Sequence, residues 1–263
     1  MSNKIRLGIL GGGGDSLIGV VHRIASNMFD RYQLVGGCFN PNIEDNNSFA
    51  ERIGIPLNRV YASFDILIEE ELKLPAEERM EVISVLTPNF LHFPMAKKLL
   101  ENGFNVICEK PLTTSYAEAL ELEAIQKEKQ AVFAVTYTYT GYPMVRQMKD
   151  MIRRGVLGTI QKVDLQYYQG WINPVIHHPE ERAKVWRLDP EKGGLSCCIG
   201  DIGTHAFDML EYVTGMEVKQ LLADLNTLYA DNSLDVDGTV LIRMSEYCKG
   251  VIRASQIATA EEN

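Results

Sequence analysis

Three side chains in this sequence are of types and at spacings that could move a proton and stabilise a developing negative charge. Lys110 stands in Glu109-Lys110-Pro111, at the end of the apolar run 105–108. Pro111 forbids that run from continuing as a strand, so the lysine is expected just past a strand's carboxyl end. In open α/β sheets that edge is where ligands bind. A lysine there can hold a phosphate, a carboxylate or a reacting hydroxyl. Asp201 and His205 lie four residues apart in Asp201-Ile202-Gly203-Thr204-His205. On a helix they face the same way, and by spacing alone the plain reading is a solvated surface pair. The chemical reading is an acid beside an imidazole, the natural base for an alcohol proton near neutral pH. No third ligand is marked beside them, so no metal site is expected.

A second cluster points to a nucleotide. Gly11-Gly12-Gly13-Gly14-Asp15-Ser16-Leu17-Ile18-Gly19 follows a strand-like run and precedes a helical one. That context suits a dinucleotide-binding turn, where glycines let the backbone approach a pyrophosphate and the helix amino end favours its charge. Gly11 and Gly13 fit the first two positions of G-x-G-x-x-G; Gly19 fits the third only with a three-residue insertion. The plain alternative is a flexible glycine turn. The next strand should end in a residue that meets the adenosine ribose, and here that residue is Asn40, followed by Pro41. Asparagine can bond a hydroxyl without repelling a 2′-phosphate, so NAD and NADP both stay open. Asn40-Pro41 is also ordinary turn chemistry. Thr87-Pro88-Asn89, with His92 three residues on, reads as a turn and helix start that could line a cofactor; a lone His at this spacing is more often structural.

The elements that must carry these residues follow from periodicity. Strands are expected over 5–10, 33–39, 82–86, 105–108 and 132–136, with helices over 20–29, 43–53, 64–72, 91–101 and 116–129. Strand-helix alternation of this kind means a doubly wound parallel sheet with helices on both faces. Beyond residue 136 the rhythm changes. A helix over 144–154 leads to a strand over 160–168, and an irregular stretch 170–189 holds Trp171, Trp186 and Arg187. A helix over 202–213 stops at Gly215, and strands follow over 220–227, 238–244 and 250–258. This half reads as an α+β domain with a mostly antiparallel sheet. The expected domains are 1–137 and 138–263.

The chain has 263 residues, 46% of them hydrophobic, which allows a sizeable core. With 26 basic and 35 acidic residues its net charge is −9, which argues against a general nucleic-acid or anionic-membrane binder. Five cysteines, an odd number without CxxC spacing, read as reduced thiols, and no secretory leader or membrane-spanning segment is read in the sequence. A cytoplasmic protein is expected. Residues 256–263 read as a strand and turn inside the second sheet, so further chain is expected beyond them.

Taken together, the glycine turn with His22, Thr87-Pro88-Asn89 with His92, Glu109-Lys110-Pro111, Trp186-Arg187 with Asp189, Gly193-Gly194, and Asp201-x-Gly203-x-His205 with Asp208 resemble the Gfo/Idh/MocA oxidoreductases, the family of glucose–fructose oxidoreductase and inositol dehydrogenase. The resemblance implies a Rossmann domain followed by a sheet-containing domain through which a homodimer or homotetramer forms. It implies NAD or NADP as cofactor, near Gly11, Gly13, Gly14, Leu17, Ile18, Asn40, Thr87, Pro88, Asn89, His92, Glu109 and Lys110. It places Tyr139, Trp171, Trp186, Arg187, Asp201 and His205 at the substrate, and makes Lys110, Asp201 and His205 catalytic. His205 would take the hydroxyl proton, Lys110 would stabilise the reacting oxygen, and Asp201 would orient the substrate. The stretch 137–143 departs from the family pattern, and its tyrosine and threonine hydroxyls suit a neutral polyol. The expected activity is hydride transfer between a nicotinamide and a sugar, inositol or related polyol. Two alternatives are a non-catalytic cofactor-binding regulator of the same fold and an enzyme that reduces a C=C or C=N bond.

Overall fold

The apolar runs of the first half pair side by side, as parallel strands buried on both faces must. The computed structural model describes residues 4–259; residues 260–263, part of the expected terminal strand and turn, lie outside the described residues. The order is β1 (Ile5–Gly11), α1 (Leu17–Asn27), β2 (Tyr32–Cys38), α2 (Ile43–Arg52), α3 (Phe64–Lys73), β3 (Val82–Leu86), α4 (His92–Glu101), β4 (Asn105–Cys108), α5 (Tyr116–Lys129) and β5 (Phe133–Val135). The five strands form one parallel sheet in the order β2-β1-β3-β4-β5. Alternate residues feed two cores. Leu7, Ile9, Val82 and Leu86 meet Phe39, Phe49 and Ile55 on one face. Leu10, Ile83, Val85, Val106 and Cys108 meet Leu67, Leu99, Leu100 and Leu122 on the other. The chain therefore reverses direction of winding at β1, and the crevice outside the carboxyl ends of β1 and β3 is the ligand position of such sheets.

A second compact unit begins at Tyr137. It holds α6 (Pro143–Arg153), β6 (Lys162–Tyr168), the single turns α7 (Asn173–Ile176), α8 (Pro179–Arg182) and α9 (Pro190–Gly193), then α10 (Thr204–Thr214), β7 (Gln220–Asn226), β8 (Asp237–Arg243) and β9 (Lys249–Ser255). The sheet order is β6-β9-β8-β7; β6 runs parallel to β9 and the other pairs are antiparallel. Val240, Ile242 and Ile252 turn inward onto Ala206 and Leu210 of α10. All of β7 stays exposed, as do Leu241 and Arg243 on the outer side of β8.

Several elements differ from the sequence reading, three of them informatively. α1 starts three residues earlier than expected, because Ser16 caps it by accepting the Gly19 N–H. The expected helix at 202–213 is preceded by a wide π-helical turn, Ile199–Gly203, and becomes α-helical only at Thr204. The stretch 170–189 is not structureless: two of its turns carry a proline at their first or second position, which suits the first turn of a helix.

Candidate active site

In the first unit the glycine turn is shaped by contacts that exclude any side chain. A Cβ on Gly19 would stand 1.9 Å from the Gly12 carbonyl oxygen, so α1 can approach the turn only through a glycine. A Cβ on Gly13 would stand 2.6 Å from the Phe39 carbonyl, which accepts the Gly13 N–H at 3.1 Å. Gly19 thus does the packing work of the third motif glycine despite the insertion. These features fit a pyrophosphate: a bare backbone cradle opening onto the capped amino end of an 11-residue helix. Gly11 and Gly14 are both held at positive φ within it. Leu17 is 78% exposed at the first helical position, while Ile18 turns into the core beside Leu7 and Ile9.

Two residues absent from the sequence reading also converge on the turn. Arg23 Nη1 donates to Gly12 O at 3.0 Å and Arg52 Nη2 to Gly14 O at 3.4 Å. Both guanidinium groups lie over the Phe49 ring, at 4.9 and 5.2 Å from its centroid. Burial, and then the charge of Arg52, lower the pKa of Arg23. The available signal was Arg23 two turns of helix after the glycines; Arg52 comes from another element and had no local signal. Asn40 adopts the turn role: its Oδ1 accepts the Asn42 N–H at 2.8 Å, and Asn42 in turn caps α2.

At the carboxyl ends of β3 and β4, the expected residues form one network. His92 is buried, with Nδ1 2.7 Å from Pro111 O and Nε2 2.8 Å from Thr87 O. Both ring nitrogens therefore face backbone carbonyls, a neutral ring donating to one of them, and the cofactor contact expected of His92 is left only its ring carbons. Burial pushes its pKa down, against the pull of the two carbonyls. Pro88 and Asn89 lead into a short 3-10 turn, Asn89–Leu91, ahead of α4. Glu109 Oε1 meets His22 Nε2 at 2.8 Å and accepts the Thr136 hydroxyl at 2.6 Å. Its Oε2 accepts the Lys110 backbone N–H at 3.2 Å. Burial alone would raise the Glu109 pKa, but the bonds from His22 and Thr136 hold it below the usual carboxylate value. The Lys110–Pro111 peptide bond is cis.

In the second unit, the wide turn before α10 carries Asp201 and the helix carries His205. Asp235, itself buried, accepts the N–H groups of Cys197 and Ile199 at 3.0 and 2.8 Å and so fixes the entry to that turn. Asp201 Oδ2 accepts the Gln256 amide at 2.9 Å and lies 3.7 Å from Arg187 Nε. Arg187 stacks over Trp186 at 4.4 Å and lies 5.8 Å from the Trp171 ring centroid. Trp171, Trp186, Arg187 and Asp201 are thus neighbours, as the substrate reading requires of them. The surface-pair reading of Asp201 and His205 fails: His205 is only 8% exposed. Its ring packs against those of Tyr139 at 4.7 Å, Tyr137 at 5.7 Å and Tyr167 at 6.1 Å.

Tyr139 and Tyr167 share a hydroxyl–hydroxyl bond of 2.5 Å, and Gln169 donates to Tyr167 at 3.2 Å. Burial, and then that bond, push the Tyr139 pKa upward. A cleft of about 660 Å³ opens here, lined by Tyr139, Tyr142, Met148, Tyr167, His205 and Met209 among others. An imidazole at the wall of a cleft rimmed by phenols can accept a proton from a small hydroxylated molecule. Tyr167 and Gln256 were missed from the sequence. Tyr167 had a signal, since Leu165 and Tyr167 share the inward face of β6. Gln256 had none.

Known proteins match along the same two units. Residues 5–137 match the model of an oxidoreductase family with an NAD-binding Rossmann fold, and residues 145–263 that of the GFO/IDH/MocA C-terminal domain. The chain is 33% identical over 260 residues to the uncharacterized oxidoreductase YfiI of Bacillus subtilis, covering 98% of this chain and 66% of that protein. Among solved structures, an inositol dehydrogenase homolog from Azotobacter vinelandii complexed with NAD+ superposes with a TM-score of 0.93 at 31% identity, over 99% of this chain and 67% of that one. The same homolog complexed with NADH and myo-inositol gives 0.89 at 29% identity, over 99% and 66%. The chain thus spans about two thirds of these relatives' length. With the glycine cradle, the parallel sheet and the mixed second sheet each in place, the chain belongs to the GFO/IDH/MocA oxidoreductase family, its first unit being that family's NAD-binding Rossmann fold.

Proposed function

We propose that this chain carries the cofactor-binding and catalytic residues of a dehydrogenase that oxidises a secondary hydroxyl of an inositol, sugar or related polyol. The observation that carries this reading is His205: an imidazole buried among three tyrosines on the wall of a cleft, four residues from a carboxylate held by Gln256. The solved relative complexed with NADH and myo-inositol supports the substrate class.

The glycine turn and the amino end of α1 hold the pyrophosphate, with Arg23 and Arg52 adding positive charge at the turn's carbonyl side. Thr87, Asn89 and Glu109 stand at the carboxyl ends of β3 and β4, where the dinucleotide extends in such sheets. When bound, the dinucleotide supplies the hydride acceptor. His205 takes the hydroxyl proton. Lys110 is the residue whose ammonium stabilises the negative charge that grows on the reacting oxygen. Asp201 and Arg187 orient the other hydroxyls, and Trp171 and Trp186 give the ring an apolar wall. The outer face of the second sheet, with Leu222 and Leu241 exposed, serves self-association.

A panel of inositols, aldoses and sugar acids with NAD and NADP, read by reduced-nicotinamide absorbance, tests the reading. Loss of one general base costs about 10²–10⁴-fold in rate. His205→Ala should therefore lose that much kcat, and Lys110→Ala, which removes a donor to the charged oxygen, about 10²–10³-fold, while both still bind cofactor. Near-wild-type turnover in both variants sinks the proposal.

A further inference from the structure

Lys110 is flanked by two residues whose oxygens are each engaged by a histidine, His92 buried and His22 partly so. On its amino side, the Glu109 carboxylate meets His22 at 2.8 Å and accepts the N–H of Lys110 itself at 3.2 Å. On its carboxyl side, the Pro111 carbonyl meets His92 at 2.7 Å, and the far nitrogen of that ring reaches Thr87 O at 2.8 Å. His22 comes from α1, whose Ile18 packs in the core beneath one face of the sheet. His92 opens α4, whose Ala96, Leu99 and Leu100 pack beneath the other. Core packing alone gives no reason for either imidazole, since an apolar side chain would fill the space without needing a partner. The His22 ring, through the Glu109 carboxylate, bears on the peptide N–H of Lys110, and the His92 ring holds the carbonyl of the residue that follows it.

We propose that His22 and His92 are positioning residues that grip the Lys110 turn from opposite faces of the sheet and set the direction in which its ammonium leaves. The inference rests on the reading that the Lys110 ammonium stabilises the charge on the reacting oxygen. It gives His92 a role other than cofactor contact, and gives His22 one the sequence alone did not supply. A small misplacement of a reacting group can cost about 10²-fold in rate, so a loosened turn should show in kcat.

The test uses the full chain with its lysines reductively methylated with ¹³C-formaldehyde, the Lys110 resonance being assigned by its loss in Lys110→Gln. His22→Leu and His92→Leu should shift that resonance, while His177→Gln, an exposed histidine bonded to Tyr229, should not. His22→Leu should also lower kcat by about 10- to 100-fold with NAD affinity kept. His22→Gln, which retains an N–H donor for Glu109, should recover most of that loss. An unmoved resonance in both leucine variants, or a kcat loss that glutamine does not rescue, overturns the proposal. Should the leucine variants not fold, Glu109→Gln places a donor against His22 and must move the same resonance. Absent turnover in the wild-type chain overturns the dehydrogenase reading alone, because the resonance reports on the grip without catalysis.

Discussion

Glu109 shows how a single buried group ties the site to stability. Its folded pKa lies below its ordinary value, because bonds from His22 and Thr136 outweigh burial. A depressed carboxylate contributes stability that is fully present above its unfolded pKa and is lost as pH falls through the folded one. The unfolded value is about 4.3. Urea denaturation of wild type and Glu109→Gln should therefore differ by a constant amount above about pH 5.5 and converge as the pH drops below that range. A gap that does not shrink in acid would show that Glu109 is not held as an anion. Much at this scale was legible in the sequence. The strand-stop at Pro111 placed Lys110 at a sheet edge, whereas the four-residue spacing of Asp201 and His205, read plainly as a surface pair, did not show that His205 is buried among tyrosines. The partners that define each group were not legible. Gln256 reaches Asp201 from 55 residues away, and Thr136 reaches Glu109 from 27. Such contacts depend on tertiary register, not on any local pattern.

At the scale of elements, the glycine turn makes the sharpest claim. Gly19 is needed because helix and turn touch backbone to backbone; Gly14 is not crowded at all and only has a positive φ of 58°. The two should respond differently to alanine. Gly14→Ala should cost about 1–2 kcal/mol from the left-handed backbone alone. Gly19→Ala, at a helical backbone position, must instead push α1 away from Gly12, costing about 1–3 kcal/mol of overpacking, and should weaken NAD binding at least 10-fold, because the helix end moves with it. Urea melts and cofactor titration of both variants check this; equal loss of NAD affinity in the two would refute the packing account. The first four parallel strands were readable because each is an apolar run soon followed by glycine, proline or asparagine, with β3 buried along its whole length. The wide turn at Ile199–Gly203 was not, because it is fixed by Asp235, more than thirty residues downstream. The short turns at 173–182 escaped for a related reason. They are too brief to show a helical period, and they are held by a local core around Ile172, Ile176 and Leu234.

At the scale of the molecule, what needs explaining is a sheet that has one covered face and one bare one. Inward residues of β8 and β9 are buried beneath α10, whereas Leu222 is 69% and Leu241 is 51% exposed on the outer side. These two are directly paired across β7 and β8, so they form a contiguous apolar patch, not scattered surface residues. Next to Leu241 in register is Val251 of β9, which extends the patch across three strands. Lys162, Arg243 and Lys249 rim the same surface, and apolar patches with polar rims mark interaction sites. A closed two-fold contact brings the same patch to itself, so one substitution acts twice at the interface. Leu222→Lys would then place two ammonium groups in the apolar centre, while leaving the covered core untouched. Sedimentation velocity should show wild type as a dimer or tetramer and Leu222→Lys or Leu241→Lys shifted to the smaller species. The thermal transition measured at high dilution, where association is already lost, should stay close to that of wild type. Wild type sedimenting as a monomer, or variants that keep the larger mass, would remove this face from the assembly.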